Sequence, residues 1–149
     1  MLLAPVAAAC GIAAARAAVR SVPLIVPASQ SISSESFRIS PKDVDGVICL
    51  RLPGEVTAMV LTVASGGTAG DVDWAIYVDG KGPLRVALVR GGYKLSLGRI
   101  GNDIVETDPV YKTKDPNCCP TGGFDHTRWH WTGSRWSVAK TWHDKTYKP

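Results

Sequence analysis

The 149-residue chain lacks most of the signatures that mark a specific chemistry. It has four cysteines but no Cys-x-x-Cys pair, and adjacent cysteines seldom reach one tetrahedral metal together. Its one Gly-rich stretch, Ser65 to Asp71, has no Gly-Lys-Ser/Thr ending and no helix after it, so it is no phosphate cradle. There is no Gly-x-Ser-x-Gly elbow to present Ser65 as a nucleophile, and nothing supports His126, His130 or His143 as its base. No stretch after residue 30 has the 3.6-residue period of a long helix, and no internal repeat is visible. No apolar run reaches the about 20 residues that a membrane-spanning helix needs. The net charge is +4, and without Arg16 and Arg20 of the first 28 residues 15 basic residues face 13 acidic ones, or +2. That excludes nucleic-acid binding by charge.

What is present is ordinary globular composition, 45% hydrophobic and 20% charged, in one domain's length of chain. Residues 1–28 are almost all Ala, Val, Leu, Ile and Pro, with small-residue sites at Ala13-Ala14-Ala15 and Val26-Pro27-Ala28. That resembles an export signal. No Lys or Arg precedes the first apolar run, so Arg16 and Arg20 would flank a shorter second run, Val22 to Val26. Cys10, after Ala7-Ala8-Ala9, looks like a degraded lipid-attachment site. The plainer alternative is an amphipathic Ala-rich helix. Residues 29–36 form a Ser-rich linker, and a single β domain is expected over 37–149.

Within that domain the period is two. Strands are expected at Val47–Leu50, Val56–Val63, Val72–Val78, Leu84–Leu88, Tyr93–Leu97, from Ile104, at Thr127–Thr132 and at Arg135–Thr141. Turns are expected at Asp79–Pro83, Gly91-Gly92 and Thr132–Ser134. Short strands at this spacing indicate an all-β, mainly antiparallel sheet or meander, closed as a small sandwich or an open barrel.

The stretch Asp115-Pro116-Asn117-Cys118-Cys119-Pro120 is a loop of restricted shape, because its two prolines fix φ and remove two amide donors. A bridge from Cys49 to Cys118 or Cys119 is favoured over a vicinal Cys118–Cys119 disulfide and over free thiols. It would close a loop of about 70 residues, worth roughly 4 kcal/mol by chain entropy. His126 and His130, about 13 Å apart on one strand face, are too distant to share a metal. No strand–helix context surrounds the cysteine pair to suggest a thiol redox centre. No metal or cofactor is expected.

The segment Tyr111 to Trp136 resembles the C-terminal signature of the actinobacterial LppP/LprE-like lipoprotein family, with its Asp-Pro-x-Cys-Cys-Pro element followed by an aromatic hairpin. Ala64 to Trp74 is similar to the Ser-Gly-Gly-Thr-Ala-Gly segment of the same group. The acidic element that members carry near Cys49 is absent, where Leu50-Arg51-Leu52-Pro53-Gly54-Glu55 stands. The resemblance covers about residues 45–145. It implies an all-β domain exported to the cell envelope, in some members with a lipid anchor, and it implies no known reaction.

Four of the five tryptophans lie in residues 129–142. Trp129 and Trp131 share a strand face, as a hairpin packing on a core requires, with indole N–H groups finding partners at the edge. Arg128 and His130 point the other way and are the polar candidates for a binding face, with Trp136 and Trp142 as aromatic ones. The basic, aromatic tail from Lys140 to Lys148 could touch anionic polymers. The expected function is a non-catalytic, disulfide-stabilised, secreted or cell-envelope protein, binding an envelope protein or a glycan. Contact with a membrane is expected only through a signal or lipid anchor. The alternative is a glycan or small-ligand module using the C-terminal tryptophans, with a hydrolase or thiol redox enzyme third.

Overall fold

A computed structural model describes residues 10–31, 33–67 and 69–146. Eight strands form two antiparallel four-stranded meanders. The first sheet runs β3 (Val44–Leu52), β4 (Val56–Ala64), β5 (Asp71–Gly80) and β6 (Gly82–Gly91). The second runs β7 (Ser96–Ile100), β8 (Asp103–Pro109), β9 (Phe124–Trp131) and β10 (Trp136–Asp144). The alternation of β-branched and aromatic residues gives each strand one face for the interior. Leu50, Val60, Trp74 and Ile76 of the first sheet meet Ile104, Trp129, Trp131 and Trp136 of the second in one buried cluster. The fold is therefore a sandwich, with no closed barrel. Tyr93 and Lys94, expected to begin a strand, lie in the turn before β7.

The first sheet is buried on its other face as well. Helix α1 (Ile12–Ser21) and the two-residue strands β1 (Ile25–Val26) and β2 (Phe37–Arg38) cover it. Ala15, Ala18, Val19, Leu24 and Val26 pack there against Leu61, Val63, Ala75 and Tyr77. This explains why β5 is buried at seven consecutive positions, Val72 to Val78, as a strand covered on both faces must be. Two polar bonds fasten the cap. The Arg16 guanidinium donates to the Val44 carbonyl at 3.0 Å, and the Tyr77 hydroxyl donates to the Val22 carbonyl at 2.6 Å.

The boundary expected near Phe37 is thus corrected: the folded core reaches back to Ala15. The alanines and valines of 12–22 recur at helical spacing, one face on the sheet, which is the amphipathic alternative to an export signal. Residues 1–9, including the Ala7-Ala8-Ala9 of the lipid-attachment pattern, lie outside the described residues. So do Thr68 of the Gly-rich stretch and Tyr147 and Lys148 of the tail. No described helix is long and apolar enough to cross a membrane.

Candidate functional site

The sandwich sorts the expected binding residues into two groups. Trp129, Trp131 and Trp136 are only 8%, 7% and 6% exposed, with Trp131 and Trp136 packed at 5.7 Å. Trp136 is therefore a core residue and not a ligand platform: the β9–β10 register sets Trp136 opposite Trp131 on the inward face. The indole N–H groups of these three have no hydrogen-bond partner among the described residues, against the expectation that they would find one at the sheet edge. Trp74 does find one, donating to Glu106.

Arg128, His130 and Trp142 share the outer face of the second sheet. Asp103 joins the first two, accepting from Arg128 Nε at 2.7 Å and bonded to His130 Nδ1 at 2.7 Å. Burial of Asp103 opposes its ionisation, but the bonds to His130 and Arg128 outweigh it and hold its pKa below the usual carboxylate value. Trp142 stacks on His126, with ring centres 4.9 Å apart, and the Lys140 ammonium sits 5.2 Å from the Trp142 ring centre. His126 is buried beneath that stack. Its Nδ1 is 2.8 Å from the Thr107 hydroxyl, and its Nε2 is 3.0 Å from Asp144, close enough for charge pairing but not aligned for a hydrogen bond. Cationic and aromatic side chains thus lie side by side on one open strand surface. Replacing Trp142 by Ala should cost about 1 kcal/mol, the worth of a surface aromatic pair, and leave the sandwich folded in a urea melt.

The cysteines pair otherwise than expected. Cys10 bridges to Cys49, and Cys118 to Cys119. A bridge from Cys49 to the Cys-Cys loop is corrected on geometric grounds. Cys49 lies on β3 next to Ile48 and Leu50, which face the sandwich core, so it turns to the cap, where Cys10 immediately precedes α1. The Cys-Cys loop is tied to the turn between β6 and β7 instead. Asn117 accepts from the Tyr93 hydroxyl at 2.9 Å through its side chain and from the Tyr111 hydroxyl at 2.8 Å through its carbonyl, which also accepts from the Lys94 ammonium. Within the loop Asp115 accepts from the amides of Lys112 and Thr121 and from the Thr121 hydroxyl. These donors hold its pKa below the usual value. Cys118 and Cys119 are exposed at the tip.

Sequence reasoning missed a buried charge network. Glu106 has 0% exposure. It accepts from Trp74 Nε1 and from Arg90 at 3.0 Å, and the Arg90 guanidinium lies 5.2 Å from the Trp129 ring centre. The available signal was alternation: Glu106 is two residues past Ile104 and so shares its inward face. Asp108, two further on, has its pKa pushed up to about 7, first by burial and then by Glu106. Burial alone raises Asp73 to about 6; burial, then Asp45, raises Asp71 to about 7.

A carboxyl whose folded pKa lies above its unfolded value binds its proton more tightly in the folded state. Its stabilising effect is complete below the unfolded pKa near 4 and is lost as pH rises through the folded one. Three such groups predict a melting temperature several degrees higher at pH 5 than at pH 8, measured by calorimetry in matched ionic strength. Asp73→Asn should flatten part of that slope.

Ser65 reads as a turn residue, its hydroxyl accepting from the Gly67 amide at 3.1 Å. Among the described residues, no group of three or more His, Cys, Asp or Glu side chains is placed to hold a metal. Comparison with models of known protein families, with curated proteins and with solved structures gives no match to this chain.

Proposed function

We propose that the chain is an exported, non-catalytic β-sandwich of the cell envelope, related to the LppP/LprE-like lipoproteins. We further propose that it holds a partner through the outer face of its second sheet. The observation that carries export is the cysteine pairing. All four cysteines are in disulfides, one of them exposed at a loop tip, and reducing compartments do not sustain such pairs. The sandwich interior is filled by Leu, Val, Ile and Trp side chains, which supports a scaffold that presents its surface.

The test is an intact mass and a non-reduced peptide map of the protein from its native host. The expected chain keeps Cys10, is four hydrogens lighter than its reduced form, and yields Cys10–Cys49 and Cys118–Cys119 peptides. A chain cut after Ala28 would keep export but overturn the Cys10 pairing. A chain with four free thiols would overturn export.

One observation favours a second reading, a glycan-binding module: Trp142, Arg128 and His130 lie on one surface, and aromatic rings beside cationic donors suit sugar rings. Retention on insoluble cell-wall glycan should then fall several-fold in Trp142→Ala. Unchanged retention would reject that module.

A further inference from the structure

A cavity of about 270 Å³ lies between the cap and the outer face of the first sheet. Its floor is β5 and the end of β4; its walls are β2 and the turn at Pro41–Asp43. That volume is below the range of drug-sized pockets and suits a small metabolite. Its lining is mainly apolar, with Ile39, Val63 and Val72 and the partly exposed Phe37 ring. Asp73, Asp43, Arg38 and the serines supply its polar groups.

Asp73 decides what the cavity is for. It is 3% exposed, yet its carboxyl has no hydrogen-bond or ion-pair partner among the described residues. Burial raises its pKa to about 6, so near neutral pH it is an ionised carboxylate without a counter-ion. Such a group is unfavourable to bury unless something pairs with it. The strand does not need it for packing, since its same-face neighbours along β5, Ala75 and Tyr77, are apolar core. It faces Gly91 in the register, and its Oδ1 lies beside Gly91, where the Gln30 main chain crosses and leaves no room for a Cβ. The Gln30 side chain is already occupied, accepting from the Gly91 amide. Arg38 is the one cation in the cavity lining, and it too has no partner among the described residues. The cavity therefore holds one buried anion and one free cation that do not pair with each other.

We propose that this cavity binds a small zwitterion of amino-acid size, its ammonium group on Asp73 and its carboxylate on Arg38, with the serine hydroxyls completing the ammonium shell. Asp43 reinforces the anionic side, and the Phe37 face offers the ligand's short side chain an apolar contact. The site is separate from the second-sheet face and does not depend on export.

The experiment is calorimetric titration of the full chain at pH 7.5 with L-alanine, ethanolamine, acetate and glucose, alongside Asp73→Asn and Arg38→Gln. L-Alanine should bind most tightly, ethanolamine more weakly, and acetate and glucose not measurably. Asp73→Asn should weaken L-alanine and ethanolamine roughly tenfold or more, the worth of one charge-assisted bond. Arg38→Gln should weaken L-alanine alone. Asn keeps the shape of Asp and removes a buried charge, so that variant should melt no lower than the parent at the same pH. That separates lost binding from lost folding. Binding of glucose or acetate in preference, equal binding by Asp73→Asn, or no binding by either ammonium compound would overturn the proposal.

Discussion

Glu106→Ala should destabilise the protein by about 3–5 kcal/mol, the cost of removing one partner from a buried ion pair. Domains of this kind are held together by roughly 5–15 kcal/mol, so the variant should sit at the edge of folding at 37 °C. Three consequences add in the same direction. The Trp74 indole N–H loses its acceptor in a fully buried site. The Arg90 guanidinium, held over Trp129, loses its counter-ion. A cavity opens behind Ile104. One effect limits the loss: Arg90 is 29% exposed and can turn part of its charge to water. Glu106→Gln should cost less, because an amide oxygen still accepts from Trp74. Glu106→Leu combined with Arg90→Leu should recover much of the loss, since an apolar pair of similar volume removes both desolvation costs together. Urea melts of the three variants decide it. A cost below about 1 kcal/mol for Glu106→Ala, the level of a surface pair, would show that the pair is not formed. An independent readout is Asp108, whose raised pKa owes part of its shift to Glu106. Its carboxyl should titrate closer to the ordinary value in Glu106→Gln.

The strands were legible because a half-buried strand writes its burial into alternate residues. Val72 to Val78, Leu84 to Leu88 and Trp129 to Trp131 all carry that alternation, and all lie in strands. The two-sheet partition was not legible, since β3 to β6 and β7 to β10 have the same kind of turn between neighbours, and only packing shows that β6 and β7 belong to different sheets. Whether the Ala-rich N-terminus docks as a cap was not legible, for a physical reason. A short Ala-rich helix that docks on a sheet and an export segment share a composition, and they differ only in whether a complementary apolar surface exists. Leu61, Ala75 and Tyr77 supply that surface from strands more than 40 residues away. Of the candidate site, alternation set Arg128 and His130 opposite Trp129 and Trp131. Trp142 joins their side only through the β9–β10 register, which shifts at the β-bulge between Val138 and Lys140. Trp136 was not legible as core, because one residue of register separates a core tryptophan from a surface one. Asp73 gave no signal at all. It sits at a position that alternation marks as polar and outward, and only the cap makes that side an interior.

Cys49→Ala should cost up to about 4 kcal/mol, and Cys10→Ala the same, because the bridge spans 39 residues and loop-closure entropy rises only slowly with span. The double variant should cost no more than either single one, giving the full coupling of two residues that act through one bond. Cys118→Ser with Cys119→Ser should behave differently. Those residues are adjacent, so their bond removes little entropy from the unfolded chain, and the loop keeps its ties from Asp115 and Asn117. Its expected cost is within the about 0.5 kcal/mol of an ordinary surface change. The contrast discriminates between pairings. Had Cys49 been bonded to the Cys-Cys loop, the Cys118/Cys119 variant would lose as much stability as Cys49→Ala, and Cys10→Ala would lose little. The cap adds a second signature. With Cys10 released, α1 keeps its apolar contacts and the bonds from Arg16 and Tyr77 but loses its covalent tie at the N-terminal end. Hydrogen exchange should then accelerate first in residues 12–22, while the amides of β4 and β5 stay protected. Uniform acceleration across both sheets would instead make the cap part of the same cooperative unit as the sandwich. Unchanged exchange together with an unchanged melting temperature would remove the Cys10–Cys49 bridge from the folded protein.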